Sequence, residues 1–154
     1  MQAKTKYALS GTAAGLVNGL FGGGGGMVLV PLLNGWCGLA GKQAFATCVA
    51  AILPLSAVSA AVYLLRQPFD WAAAVNLLYF LPTAVMGVIA HKRNGLLETE
   101  VLKSAIPWGT TAAAAGALAA TAVDTAVLRR LFGAYLLLAA AGSLRQLWRE
   151  RRRK

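Results

Sequence analysis

Residues 11–31 read GTAAGLVNGLFGGGGGMVLVP, with five consecutive glycines, Gly22–Gly26, in an otherwise apolar stretch. Each glycine in a helix interior costs about 1 kcal/mol relative to alanine, so the run predicts a break. We therefore expect two half-helices, 8–20 and 27–33, joined by a glycine loop. Three earlier glycines recur at every fourth position, a spacing that lets a neighbouring helix approach closely: Gly11, Gly15 and Gly19.

The composition indicates a membrane protein. Of the 154 residues, 58% are hydrophobic and 13% are charged, whereas soluble domains carry about 25% charged residues. Crossing about 30 Å of hydrocarbon takes about 20 helical residues, and four apolar stretches are long enough: 43–65, 71–90, 101–122 and 127–148. The sequence thus predicts an all-α integral membrane protein with four full transmembrane helices and an N-terminal glycine-broken helix pair.

This broken segment, residues 7–33, is either re-entrant or kinked, and the predicted transmembrane domain spans residues 1–148. The chain has 15 Lys and Arg against 5 Asp and Glu. If segment 7–33 returns to its starting side, twelve of the fifteen basic residues share one face. If it crosses the membrane, ten basic residues lie on one face and five on the other. Both arrangements place the C-terminus in the cytoplasm of a bacterial cell, at its inner membrane, and the first fits the positive-inside rule better.

Six basic residues follow the last predicted span or end it, mostly within the tail 149–154. Juxtamembrane clusters of this kind contact anionic lipid headgroups. The tail is too short for a nucleic-acid-binding domain, so we expect lipids, and not nucleic acid, as its partner.

The glycine run is the strongest candidate site. Consecutive glycines can turn successive N–H groups toward one point and form an anion-binding concavity, and a half-helix starting near Met27 would direct its positive end there. The alternative is a flexible hinge. The predicted spans contain no Asp or Glu, which argues against a cation as substrate. The predicted substrate-binding residues are Asn18, Gly22, Gly23, Gly24, Gly25, Gly26, Lys42, Thr47 and Ser56.

Each polar residue in that set has a structural alternative. The Asn, Thr and Ser side chains are equally suited to hydrogen bonds within or between helices, and Lys42 can simply mark the start of a cytoplasmic helix. The chain has one His and two Cys, Cys37 and Cys48, without metal-ligand spacing. We therefore expect no metal, no cofactor and no enzymatic acid–base pair.

Three stretches carry a resemblance to a known family. The first, Gly15-Leu-Val-Asn-Gly-Leu-Phe-Gly-Gly-Gly-Gly-Gly-Met-Val-Leu-Val-Pro31, resembles the glycine-rich first-helix motif of the sulfite exporter TauE/SafE family. The second, Lys42-Gln-Ala-Phe-Ala-Thr47 followed by Ile52-Leu-Pro-Leu-Ser56, is similar to that family's second helix. The third, Leu128-Arg-Arg-Leu-Phe-Gly-Ala-Tyr-Leu-Leu-Leu138, is similar to its closing segment.

The resemblance implies a permease for small sulfur-containing anions such as sulfite, thiosulfate or organosulfonates. It also implies half of an inverted-repeat transporter, since family members usually contain two related halves. Such a half would work as a homodimer or paired with a second half-size protein. Relative to the half-size pattern, residues 91–127 look like an addition. The competing hypothesis is a non-transporting membrane scaffold or accessory subunit, in which glycine and alanine serve only helix packing.

Overall fold

The computed structural model describes residues 3–22, 24–66 and 71–151, and this part of the chain is helical without any strand. The α-helices are α1 Ala3–Phe21, α2 Gly25–Pro31, α3 Gly41–Arg66, α4 Trp71–Arg93, α5 Thr99–Ala122 and α6 Thr125–Arg151. A π-helical turn, Leu32–Trp36, continues α2. The chain forms two compact units, Met1–Ala122 and Val123–Lys154.

The predicted break is present, and it makes α1 and α2 a hairpin. Gly22 and Gly24 have φ values of 71° and 98°, left-handed conformations that side chains disfavour. After this turn at Gly22 and Gly24, hereafter the glycine turn, α2 runs back along α1. The Lys6 ammonium donates a hydrogen bond to the Trp36 carbonyl at 3.3 Å, so the hairpin returns to the end at which it begins.

The glycines of α1 face α5 along one continuous line of backbone contact. Gly11 lies against Ala105, Gly15 against Gly109 and Gly19 against Ala113, a constant separation of 94 residues that makes the helices parallel. The contact has no room for a side chain. A Cβ atom on Gly116 of α5 would lie only 2.6 Å from the Leu16 carbonyl oxygen.

Helix α3 is parallel to α1 and α5, while α4 is antiparallel to α3. Near the start of α3, Gln43 donates a hydrogen bond to the Glu98 carboxylate at 3.3 Å. Near the end of α3, the Tyr63 hydroxyl donates to the Gly19 carbonyl in the last turn of α1. The Phe45 ring meets His91 edge to face, with centroids 6.1 Å apart. These contacts bring six basic residues to one end of the first unit: Lys4, Lys6, Lys42, Lys92, Arg93 and Lys103.

Helix α2 lies in the core of the first unit. Leu29 and, in the π-helical turn, Leu33 are completely buried, packed among small residues of α1, α3 and α5. Helix α4, by contrast, exposes large apolar side chains such as Leu78, Tyr79 and Met86. Apolar exposure on this scale is typical of surfaces that meet lipid or another protein.

The second unit is a single long helix with an exposed apolar surface. The Asp124 carboxylate accepts a hydrogen bond from the Ala126 N–H at 3.0 Å and so caps the start of α6. Leu137 and Leu138 of this helix are each 74% exposed.

Two helices of the described chain are long and apolar enough to cross a membrane: α3 over its whole length and Thr125–Gly142 of α6. The four predicted full spans are therefore not all confirmed. The regions 71–90 and 101–122 do form helices, α4 and α5.

We predict that Gly15→Ala destabilises the protein by about 1–3 kcal/mol, because the new methyl group collides with the Gly109 backbone. The matched control is Gly87→Ala in α4, where the nearest atom, Val49 Cγ1, is at an ordinary 3.7 Å. Better helix propensity should there maintain or raise stability. Thermal unfolding in detergent measures both, and equal shifts for the two variants would contradict the α1–α5 contact.

Candidate functional site

The start of α2 lies between α1 and the middle of α3, at a point where only glycine fits. A Cβ atom on Gly25 would lie 2.7 Å from the Ala14 carbonyl oxygen and 3.0 Å from Asn18 Cβ. One on Gly26 would lie 2.8 Å from Ile52 Cδ1 of α3. The first turn of any helix has N–H groups without acceptors inside the helix, so this position brings backbone donors close to α1 and α3.

Asn18 is the main polar side chain beside this point, and it is completely buried. Its Nδ2 atom donates to Ser56 Oγ and to Ser59 Oγ, both at 3.4 Å. Its Oδ1 atom has no hydrogen-bond partner among the described residues. A buried polar atom without a partner costs about 1–3 kcal/mol. This cluster of Asn18, Ser56 and Ser59 therefore has unused hydrogen-bonding capacity inside the protein.

Three hydroxyl groups of α3 share one helical face, since Ser56, Ser59 and Tyr63 are spaced by three and four residues. The Ser59 hydroxyl donates to the Leu55 carbonyl at 3.0 Å. The Tyr63 hydroxyl is 2.8 Å from the Gly19 carbonyl oxygen and 3.4 Å from that of Leu20. These carbonyls belong to the last turn of α1, where intrahelical partners run out, so Tyr63 caps the helix before the glycine turn.

The structure brings Asn18 and Ser56 together beside Gly25, and it places Gly22 and Gly24 in the turn and Gly26 against α3. Gly23 lies outside the described residues. The other two predicted contacts, Lys42 and Thr47, are near the start of α3. Lys42 is exposed, and the buried Thr47 hydroxyl accepts a hydrogen bond from the Glu98 N–H at 3.2 Å. Thr47 thus holds the loop before α5.

The predicted substrate-binding residues do not include four residues that the structure places here: Cys48, Ile52, Ser59 and Tyr63. The Cys48 thiol lies 3.8 Å from the Gly26 carbonyl oxygen, a distance that allows a weak hydrogen bond. The spacing of Ser56, Ser59 and Tyr63 was the available signal. What the spacing alone does not show is that this face of α3 meets the end of α1.

The site is electrically neutral in the part of the chain that the structure describes. It consists of backbone groups, one carboxamide and hydroxyl groups. No group of three His, Cys, Asp or Glu side chains in residues 3–22, 24–66 and 71–151 is arranged to hold a metal ion. An arrangement of this kind binds a ligand through hydrogen bonds and helix dipoles.

A family model, Sulfite exporter TauE/SafE, matches residues 2–77 and 68–154. The chain belongs to this family. The resemblance found in the three sequence stretches is thereby confirmed, and the matches are consistent with a half-size member. Because TauE/SafE proteins are membrane permeases, the chain is a transport protein of that family and not an enzyme. A search of curated proteins and a search of solved structures each found no match.

The second match runs through residues 91–127, the stretch that looks like an addition in the sequence. Helix α5 lies in this stretch and is the main packing partner of α1. Helix α5 is therefore an integral part of the first unit's core.

We predict that Tyr63→Phe loosens the last turn of α1, because the Gly19 carbonyl loses its cap. Amide hydrogen exchange in residues 19–26 should accelerate, and stability should fall by about 1 kcal/mol. Tyr79→Phe is the control, since Tyr79 is 73% exposed on α4. Unchanged exchange in Tyr63→Phe would show that the cap contributes nothing to the turn.

Proposed function

We propose that this TauE/SafE protein transports small sulfur-containing anions, such as sulfite, thiosulfate or organosulfonates, through the region of the glycine turn. The observation that carries the proposal is the buried Asn18 side chain, which adjoins the start of α2 and whose Oδ1 atom has no hydrogen-bond partner among the described residues. Residues within a broken helix at membrane depth are a recurring way to build transporter binding sites.

Neutrality of the site supports an anionic substrate. The predicted spans contain no Asp or Glu, so no fixed negative charge repels an anion there. The positive end of the short helix favours negative charge, and the glycines of the turn let backbone N–H groups approach the ligand. In this proposal Gly22, Gly24–Gly26 and Asn18 contact the anion, and Ser56 lies beside Asn18.

Two further residues are assigned to the path toward the site. Lys42 is exposed at the basic end of the first unit, where its charge attracts anions from solution. Thr47 accepts one hydrogen bond and retains its own hydroxyl hydrogen for donation to a passing anion.

The proposed orientation follows from the same basic end. Six basic residues lie there together, so the positive-inside rule assigns it to the cytoplasm of a bacterial inner membrane. The α1–α2 hairpin then enters from the cytoplasm and returns to it. With four spans after the hairpin, the C-terminus is also cytoplasmic, and its basic tail contacts anionic lipid.

The proposed working form is an oligomer. A single half would have to pair in order to enclose a pathway, either with a second copy or with another half-size protein. Exposed apolar side chains on α4 and α6 offer surface for such pairing as well as for lipid.

The test is flux of sulfite and thiosulfate in proteoliposomes containing the purified protein. We predict that Gly24→Leu lowers flux at least tenfold, because Gly24 has a φ of 98° that leucine adopts only with strain. Gly35→Leu is the control, since Gly35 has open space around it and no positive φ. Equal flux in both variants would remove the glycine turn from the pathway. No flux of any anion in the wild type, with a stable complex instead, would favour the scaffold hypothesis.

A further inference from the structure

The Asn18 carboxamide lies between two different environments. On one side, its Nδ2 atom faces Ser56 and Ser59 of α3 at 3.4 Å. Its Cβ atom, in contrast, adjoins the first residue of α2, Gly25. The Oδ1 atom occupies the branch that does not face the serines, and it has no partner in the described residues.

Because a carbonyl oxygen repels negative charge, an anion at the start of α2 requires the NH₂ group of Asn18, and not its Oδ1 atom, to be directed toward it. The oxygen and nitrogen branches of a carboxamide have nearly the same shape. Turning the group over therefore exchanges donor and acceptor without moving its neighbours. The NH₂ group is then free for the anion, and Oδ1 faces the two serines.

The two serines are not equivalent partners for that oxygen. The Ser59 hydroxyl already donates to the Leu55 carbonyl at 3.0 Å. The Ser56 hydroxyl makes no hydrogen bond in the described residues other than the one it accepts from Asn18. Ser56 therefore has a hydrogen available to donate to Oδ1, whereas Ser59 would have to give up its bond to α3.

We propose that Asn18 is the residue that selects anions, with its NH₂ group directed at the substrate and the Ser56 hydroxyl holding the carboxamide in that orientation. This assignment rests on the proposed function. Ser56 is then a positioning residue that acts through Asn18. Ser59 packs beside them and stays bonded to its own helix.

The experiment compares two serine variants in the proteoliposome assay, with sulfite and thiosulfate as the substrates tested. We expect Ser56→Ala to raise the KM for flux about tenfold with little change in maximal rate, because the donor group is no longer oriented. Ser56→Thr, which keeps the hydroxyl, should restore the KM. Ser59→Ala, the matched control one turn away, should change the KM less than about twofold.

Asn18→Asp supplies the selectivity readout, because a carboxylate has a similar size and repels anions. We expect its flux to fall at least a hundredfold while the thermal midpoint in detergent shows a folded protein. If Asn18→Asp transports as the wild type does, Asn18 does not select the anion. If that variant fails to fold, the serine comparison alone decides.

The outcomes separate this assignment from the proposed function. A wild type that transports, with Ser56→Ala and Ser59→Ala behaving alike, removes the assignment and leaves the function in place. A wild type that moves no anion removes both. A Ser56→Ala effect on maximal rate alone, without rescue by threonine, would indicate a structural role and would also overturn the assignment.

Discussion

The close backbone contact between α1 and α5 is the constraint on which the first unit depends. Gly11, Gly15 and Gly19 let α5 approach so closely that carbonyl groups of α5 occupy the volume that side chains would take. Helices in a membrane gain no hydrophobic energy from association with one another, so close van der Waals packing must stabilise them. The constant register along this contact keeps α1 parallel to α5.

With α1 fixed in this way, its other faces position the site. Asn18 points toward α3, and α2 returns between α1 and α3 because Gly25 and Gly26 leave space for it. Tyr63 holds the carbonyl groups at the end of α1. The left-handed backbone conformations of the turn thus fall on Gly22 and Gly24, which adopt them without steric cost. This arrangement places the Asn18 side chain close to Gly25, and its Oδ1 atom has no hydrogen-bond partner among the described residues.

The helix break, the hairpin halves and the helical regions follow from the sequence because they depend on local physics. A run of five glycines cannot form a stable helix interior, and long apolar stretches form helices in membranes because backbone groups need internal partners. The predicted half-helix 8–20 lies inside α1, and 27–33 overlaps α2 and the turn that continues it. The partner of α5 was not predictable in this way. Small residues every fourth position show that a helix packs closely, but not which helix does so.

Asn18, the glycines and Ser56 were predicted from the sequence alone, since polar residues and glycine runs are conspicuous in an apolar segment. The sequence also determined the family and the excess of basic over acidic residues. Only the tertiary structure decided that Ser59 and Tyr63 meet the end of α1 and that Thr47 instead bonds the loop before α5. These contacts join residues that are more than forty positions apart in the sequence. They depend on which faces of two helices pack together, and side-chain spacing along a single helix does not contain that information.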